Sequence, residues 1–325
     1  MSRNPANLSS RIIRTGVNWS NAGMSLLGYL TSRFTYRTGS EWEERIFSGE
    51  ITVNQKTVSP QYQLQINDII EYHPQDIAEP PADLNYRIVY EDDALLVIDK
   101  PGNLCVHPAG PFFKHTLWHL LCSRFGKIHL VSRLDRETSG LLIAAKTPEV
   151  ANCLQTADHR QLRKTYLALV HGVFDRAVDA DGYLLPDHRS IVRKKRRFST
   201  VLPVGETAAE TAHTQLEPVT TAFGRSLVRA IPFTGRMHQI RATLFSLGYP
   251  VCGDKLYGVN EEFYLKQRRD ELTDDDRKAL LIGRQALHSA ELTFRHPVSQ
   301  KMLSFTSPLP PELSELLRGA PEETA

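Results

Sequence analysis

Cysteine is scarce in this chain of 325 residues, and the four present, Cys105, Cys122, Cys153 and Cys252, include no Cys-x-x-Cys pair. Scattered thiols of that kind fit a reducing cytosol better than a disulfide framework or a thiolate zinc site. Net charge is equally sparse. The 39 Lys and Arg stand against 37 Asp and Glu, a formal balance of +2, so any polyanionic partner must be met by a local patch. No run approaches the roughly eighteen apolar residues that span a bilayer, and the first residues carry no apolar signal core. The expectation is a soluble, cytoplasmic protein with no membrane partner. Neither a Gly-x-x-x-x-Gly-Lys phosphate loop nor a dinucleotide fingerprint occurs, and no cofactor is expected.

What is present suffices for a core. With 41% hydrophobic residues, a chain of this length makes one large domain plus a small one or a tail. The Pro-rich polar stretch HPQDIAEPPAD (His73–Asp83) marks a linker, placed at residues 74–86. Before it, residues 24–73 are self-contained, with helix-like Met24–Phe34 and Ser40–Phe47 followed by short alternating segments. Residues 1–23 read as an N-terminal tail and 313–325 as a C-terminal one. Between them, residues 87–312 form the main domain. Its strand-like runs, Arg87–Tyr90, Leu95–Asp99, Leu141–Ala145, Tyr166–Val170, Leu227–Ile231 and Ala290–Phe294, alternate irregularly with helix-like His115–Phe125, Glu149–Asp158 and His238–Leu247. That beat predicts an α+β fold: a mixed, largely antiparallel central sheet with flanking helices, preceded by a small N-terminal α/β domain.

One short segment concentrates polar chemistry. Residues 132–140 (SRLDRETSG) precede the apolar run Leu141–Ala145, and Asp, Thr, Ser and Gly all bond locally or adopt turn geometry. Asp135 therefore sits in a tight loop at the lip of a buried strand, a setting shared by catalytic carboxylates and by ordinary surface turns. Tyr166, in the alternating segment KTYLALVHG (164–172), reads by position as a core strand tyrosine. Arg241 reads by spacing as a helix arginine. The densest basic cluster, Arg189, Arg193, Lys194, Lys195, Arg196 and Arg197 against Asp187 alone, suits either phosphate contact or a solvated face. His107, His115, His119 and His129 invite a metal reading, but the acidic residue usual between two such histidines is absent from His-Thr-Leu-Trp-His, and no metal is expected.

The string Arg-Leu-Asp-x-x-Thr-Ser-Gly-Leu-Leu at residues 133–142 resembles the catalytic motif of RluA-type pseudouridine synthases. Residues 95–111 (LLVIDKPGNLCVHPAGP), 164–172, 232–258 (PFTGRMHQIRATLFSLGYPVCGDKLYG) and 287–310 resemble that family's other segments, in the family's order. Residues 24–73 resemble the αL-type RNA-binding module that often precedes these synthases, although Glu41, Glu43 and Glu44 outnumber Arg45 where basic residues are usual. Ser132 and Met237 stand where many members have His and Thr.

The resemblance implies an enzyme that isomerises uridine in RNA without a cofactor or obligate protein partner. It implies Asp135 as the catalytic carboxylate, either adding covalently to the substrate or removing a sugar proton. Arg241 would pair with it and keep it ionised, and Tyr166 would lie against the target base. A uridine in folded RNA must be extruded to reach Asp135, and Arg133 is read as filling or bracing the hole left behind. Large-subunit ribosomal RNA is the expected substrate, with transfer RNA next. The alternatives are a non-catalytic RNA-binding or ribosome-assembly factor, which has no need of Asp135, Tyr166 and Arg241 together, and a glycoside or nucleoside hydrolase. Hydrolases commonly use two carboxylates, whereas only Asp135 has an obvious setting here; Asp254 lies in a turn resembling a structural motif of the family.

Overall fold

Two units, divided after Pro80, make up the computed structural model, which describes residues 12–34, 37–73, 79–159 and 161–318. In the first, strands β1 (Ile13–Gly16), β2 (Ile51–Val53) and β3 (Ile69–Tyr72) form an antiparallel sheet in the order β1-β3-β2. Helices α1 (Leu26–Arg33) and α2 (Gly39–Phe47) begin where the Ser25 and Thr38 hydroxyls accept backbone N–H groups that a helix start leaves unpaired. Leu26, Leu30, Trp42, Ile46, Ile51 and Val53 close a core of this unit's own.

Three boundary expectations need correction. Residues 13–16 are not tail: Ile13–Gly16 pair with Ile69–Tyr72, with Ile13 packed on the core and Arg14 ion-paired to Glu71. Residues 1–11 of that expected tail lie outside the described residues. Of the expected linker, 74–78 lie outside them too, and Pro81 and Asp83 belong to the second unit. The Asn103 side-chain amide donates to the Pro81 carbonyl (3.3 Å) and the Asn103 carbonyl accepts from the Asp83 N–H (3.2 Å). At the other end Leu313 is fully buried in a helix rather than part of a tail, while 319–325 are outside the described residues.

The second unit carries an eleven-stranded sheet. Its strands are β4 (Arg87–Glu91), β5 (Leu95–Lys100), β6 (His129–Leu130), β7 (Ser139–Ala145), β8 (Leu162–His171), β9 (Val178–Pro186), β10 (Arg196–Ser199), β11 (Glu210–Ala222), β12 (Arg225–Pro232), β13 (Leu287–Arg295) and β14 (Met302–Thr306). They run in the order β10-β9-β11-β12-β8-β13-β7-β5-β4, with β14 added to β13 and β6 to β7. Only β13 and β7 pair in parallel among the described residues. Around the sheet lie α3 (Leu117–Phe125), α4 (Pro148–Gln155), α5 (Gln239–Ser246), α6 (Glu262–Arg269), α7 (Asp274–Leu280) and α8 (Pro311–Glu315). The α+β fold with a mixed, largely antiparallel sheet is as expected.

Strand β7 is buried at every position between β13 and β5, which is why its sequence is continuously apolar rather than alternating. It enters beside β13 through Gly140, whose φ is +103° and whose hypothetical Cβ would meet the Ser289 carbonyl oxygen at 2.2 Å. Glycine is what allows that approach. The registers His288↔Ser139 and Ser289↔Tyr166 then bring the loop before β7 and the centre of β8 to opposite sides of one strand. Gly140→Ala is expected to lower the unfolding free energy by at least about 2 kcal/mol, through backbone overlap and left-handed strain together. Urea denaturation measures it, and an unchanged midpoint would contradict this account of the β7 entry.

Candidate active site

The loop at residues 135–138 closes on itself through the Thr138 N–H to the Asp135 carbonyl, 3.1 Å. Three of its residues are also clamped from outside. The Arg136 carbonyl accepts from the Lys100 ammonium (3.1 Å) and from the Leu104 N–H (3.1 Å). Lys100, fully buried, gives its other protons to the carbonyls of Pro101 (2.7 Å) and Leu104 (3.0 Å). Burial pulls its pKa down to about 7, but three carbonyl acceptors that only an ammonium can satisfy work against that pull. The Glu137 carboxylate accepts from the Lys255 ammonium (3.0 Å), the Gln285 backbone N–H (3.1 Å) and the Gln267 amide (3.3 Å). The Gln285 side chain donates to the Thr138 hydroxyl and reaches Asp135 at 3.4 Å.

Across from the loop, α5 is buried from Gln239 through Leu244. Gln239 fixes its start: its amide donates to the His213 carbonyl (3.0 Å) and the Thr214 hydroxyl (2.8 Å), while its oxygen accepts from Thr234 and from the Arg236 N–H. One turn in, the Arg241 guanidinium spans two carboxylates. Its Nε and Nη2 donate to Asp254 at 2.6 and 2.8 Å, and its Nη1 donates to Asp135 at 2.7 Å. Asp254 is itself fully buried and accepts the N–H groups of Leu256 and Tyr257 at 2.9 Å each. This is the fork geometry for which a guanidinium is suited.

The charges follow from that geometry. Burial would raise the pKa of Asp135, but Arg241 foremost, then His238 and the hydrogen bonds, bring it down to about 2. Burial likewise opposes the Arg241 charge, and Asp254 and Asp135 outweigh it, so the guanidinium's pKa lies above its ordinary value. His238, in a left-handed conformation before α5 with φ +58°, places Nε2 3.9 Å from the second Asp135 oxygen and Nδ1 3.0 Å from the Tyr257 hydroxyl. That hydroxyl already accepts the Arg196 N–H at 2.9 Å. Its own proton remains available to Nδ1, and in the tautomer that uses it the imidazole proton sits on Nε2, facing Asp135. Burial, then the Arg241 charge, lowers the His238 pKa to about 4, so the ring is neutral at pH 7.

Asp135, His238 and Arg241 line a cavity of about 770 Å³ in which Asp135 is the only carboxylate among the described lining residues. The Asp135 side chain keeps 35% of its surface exposed. Tyr166 lines the same cavity; burial, with the charge of Asp135 added, raises its pKa to about 12, so it is a neutral phenol. Arg133 is exposed, lines the cavity and makes no ion pair among the described residues. Ser132 and Met237, the two departures from the family motif, line it as well.

The basic cluster is divided. Lys194 lines the cavity and also lies over the Tyr264 ring at 4.5 Å. Arg189 and Arg193 are exposed, Arg196 and Arg197 half-buried. Lys195 is a correction: it is buried, ion-paired to Glu261 at 2.7 Å and seated over the Phe245 ring at 4.6 Å. Its alternate position just before β10 turns it inward, away from any phosphate. Among the described residues no group of three or more His, Cys, Asp and Glu side chains is placed to hold a metal ion. No helix among them is long and apolar enough to cross a membrane.

The sequence reading missed Lys100, Glu137, His238, Lys255 and Gln285. A usable signal existed for Lys100, a lone charge ending the strand LLVIDK, and for His238 beside Arg241. None existed for Gln285, whose role depends wholly on tertiary proximity.

A family model described as RNA pseudouridylate synthase matches residues 94–246. An uncharacterized RNA pseudouridine synthase of Bacillus subtilis is 33% identical over 288 residues, covering 83% of this chain and 90% of that protein. The chain belongs to the RNA pseudouridine synthase family and is an isomerase acting on uridines in RNA. Within the family it is of the Rlu type. Ribosomal large subunit pseudouridine synthase D of Blochmanniella floridana is 30% identical over 309 residues, covering 90% of this chain and 93% of that one. Synthase C of Vibrio cholerae is 33% identical over 290 residues, covering 83% and 84%. Among solved structures, human RNA pseudouridylate synthase domain containing 4 superposes with a TM-score of 0.53 at 26% identity, covering 71% of this chain and 92% of that one.

Removing Asp254 tests the shared guanidinium. Asp254→Asn leaves Arg241 in the interior with one carboxylate, and breaking a buried pair costs about 3–5 kcal/mol. A lowered melting temperature is expected, together with a turnover loss larger than the loss of RNA affinity. Unchanged melting and turnover would show that Asp135 does not depend on this anchor.

Proposed function

We propose that this chain isomerises uridine within structured large-subunit ribosomal RNA, with Asp135 as the catalytic carboxylate, in the cytoplasm. The observation that carries the role of Asp135 is the Arg241 guanidinium held between it and the buried Asp254, which leaves one ionised carboxylate open to a cavity. Ionisation serves either route: addition to the substrate, or removal of a sugar proton. In both, the bond from sugar to base nitrogen breaks with its electron pair on the base, the base turns, a ring carbon bonds to the sugar, and the hydrogen on that carbon leaves as a proton.

The other roles follow from position. Tyr166 supplies a flat, neutral wall for the base. His238 offers its N–H to the Asp135 oxygen that Arg241 does not engage. Arg133, without an ion pair among the described residues, braces the hole left by the extruded nucleotide, whose extrusion costs a few kcal/mol. Arg189, Arg193, Lys194, Arg196 and Arg197 supply phosphate contacts. The names of the relatives, ribosomal large subunit synthases C and D, support ribosomal RNA over transfer RNA.

Tritium release from RNA labelled at uracil C5 tests this reading. Wild type is expected to release tritium, and Asp135→Asn to bind the same RNA and release none. Turnover by the Asn variant would remove Asp135 from the reaction, and free uracil would indicate hydrolysis.

A further inference from the structure

Lys164 and Tyr166 are two residues apart on β8, so strand alternation sends both side chains to one face, and both line the cavity that holds Asp135. Tyr166 has a place in the reaction. Lys164 has none so far.

Other lysines of this unit that are drawn inward are each neutralised or satisfied. Lys100 has three carbonyls, Lys195 has Glu261, and Lys255 has Glu137. The Lys164 ammonium has no ion pair or hydrogen bond among the described residues, and burial alone lowers its pKa, to about 8. Asp135, the sole carboxylate among the described residues that line the cavity, is already taken by Arg241 at 2.7 Å. A partly buried ammonium without an acceptor destabilises the free protein, and an anion brought by a ligand offsets that cost.

RNA has one anionic group, the phosphodiester; uracil oxygens and ribose hydroxyls are neutral. We infer that Lys164 is a phosphodiester receptor of the cavity, binding the backbone of the extruded nucleotide equally before and during the reaction. The inference rests on the action of this chain on RNA, and the contact is indifferent to base sequence. It also differs from Arg189, Arg193, Arg196 and Arg197, which are not among the residues that line the cavity, and from Lys194, which lines it but is exposed, because Lys164 is partly buried there on the same strand face as Tyr166.

Lys164→Met in the full chain tests it, with large-subunit ribosomal RNA transcripts tritiated at uracil C5. KM is expected to rise about tenfold, the energy of one charged hydrogen bond, while kcat at saturating RNA changes by less than about a factor of two. The plot of log affinity against log salt should become shallower by about one phosphate contact. Melting without RNA should stay level or rise, because an uncompensated charge has gone.

Lys164→Arg should recover most of the affinity. An unchanged KM and salt slope would overturn the assignment. A fall in kcat with the slope intact would place the ammonium on the base instead, and lower melting with unchanged affinity would make it a structural prop. Wild-type tritium release on the same RNA reports the enzyme reading separately, and equilibrium binding of the transcript reads the salt slope even where turnover is absent.

Discussion

A carboxylate that must stay ionised beside a base needs a site from which much of the water is excluded, yet burial pushes its pKa upward. Arg241 resolves that conflict, but an interior guanidinium must itself be neutralised. Asp254 does this with both oxygens while its own position is fixed by the N–H groups of Leu256 and Tyr257. The three groups carry one net negative charge between them. It is expressed at Asp135, the member open to the cavity, because Asp254 is fully enclosed. Much else in the second unit serves this arrangement: Gln239 sets the start of α5, and Gly140 lets the Asp135 loop come up against β13.

Charge is handled differently on the two sides of that loop. Toward the interior, Lys100, Lys255 and Glu137 are paired or saturated and lock the chain from Arg136 to Thr138. Toward the cavity, Arg133 and Lys164 are left without a pairing carboxylate among the described residues. A protein selected only for stability would have paired or removed them, whereas one that receives a polyanion gains by leaving them open. The substrate then completes the electrostatics that folding leaves unfinished.

Much of this was legible from sequence because single residue types at fixed spacing carry it. Asp135, Tyr166 and Arg241 come from separate segments and reach one cavity, and the apolar runs fall within strands that are longer by a few polar residues at their ends, as Tyr166–Val170 lies within Leu162–His171. Strand β11 escaped notice because, of its buried positions Ala212, Thr214 and Leu216, the first is small and the second polar, and a bulge interrupts it after Pro218. Helices α6 and α7 bury little beyond Phe263 and Leu280, so no apolar period marks them. Lys195 looked like its five basic neighbours, since the Glu261 that claims it lies far along the chain. Glu137 occupies a position the family motif leaves free, and its partners are equally remote.

The ionisation of Asp135 in the free protein is the most direct measure of this account. Its carboxyl carbon, labelled with ¹³C and assigned by comparison with Asp135→Asn, can be followed by NMR as the pH is lowered. The depressed pKa, about 2 against an ordinary 3.8, means that the pair with Arg241 is intact above the ordinary carboxylate range and is lost only as pH falls toward that lower value. The carboxyl carbon is therefore expected to keep its ionised shift from neutral pH down to about pH 3, apart from a small displacement near pH 4 as the neighbouring His238 gains its proton. The full carboxylate-to-carboxyl change in shift centred at about pH 4 or above would show that Arg241 does not hold the charge, and would contradict the account.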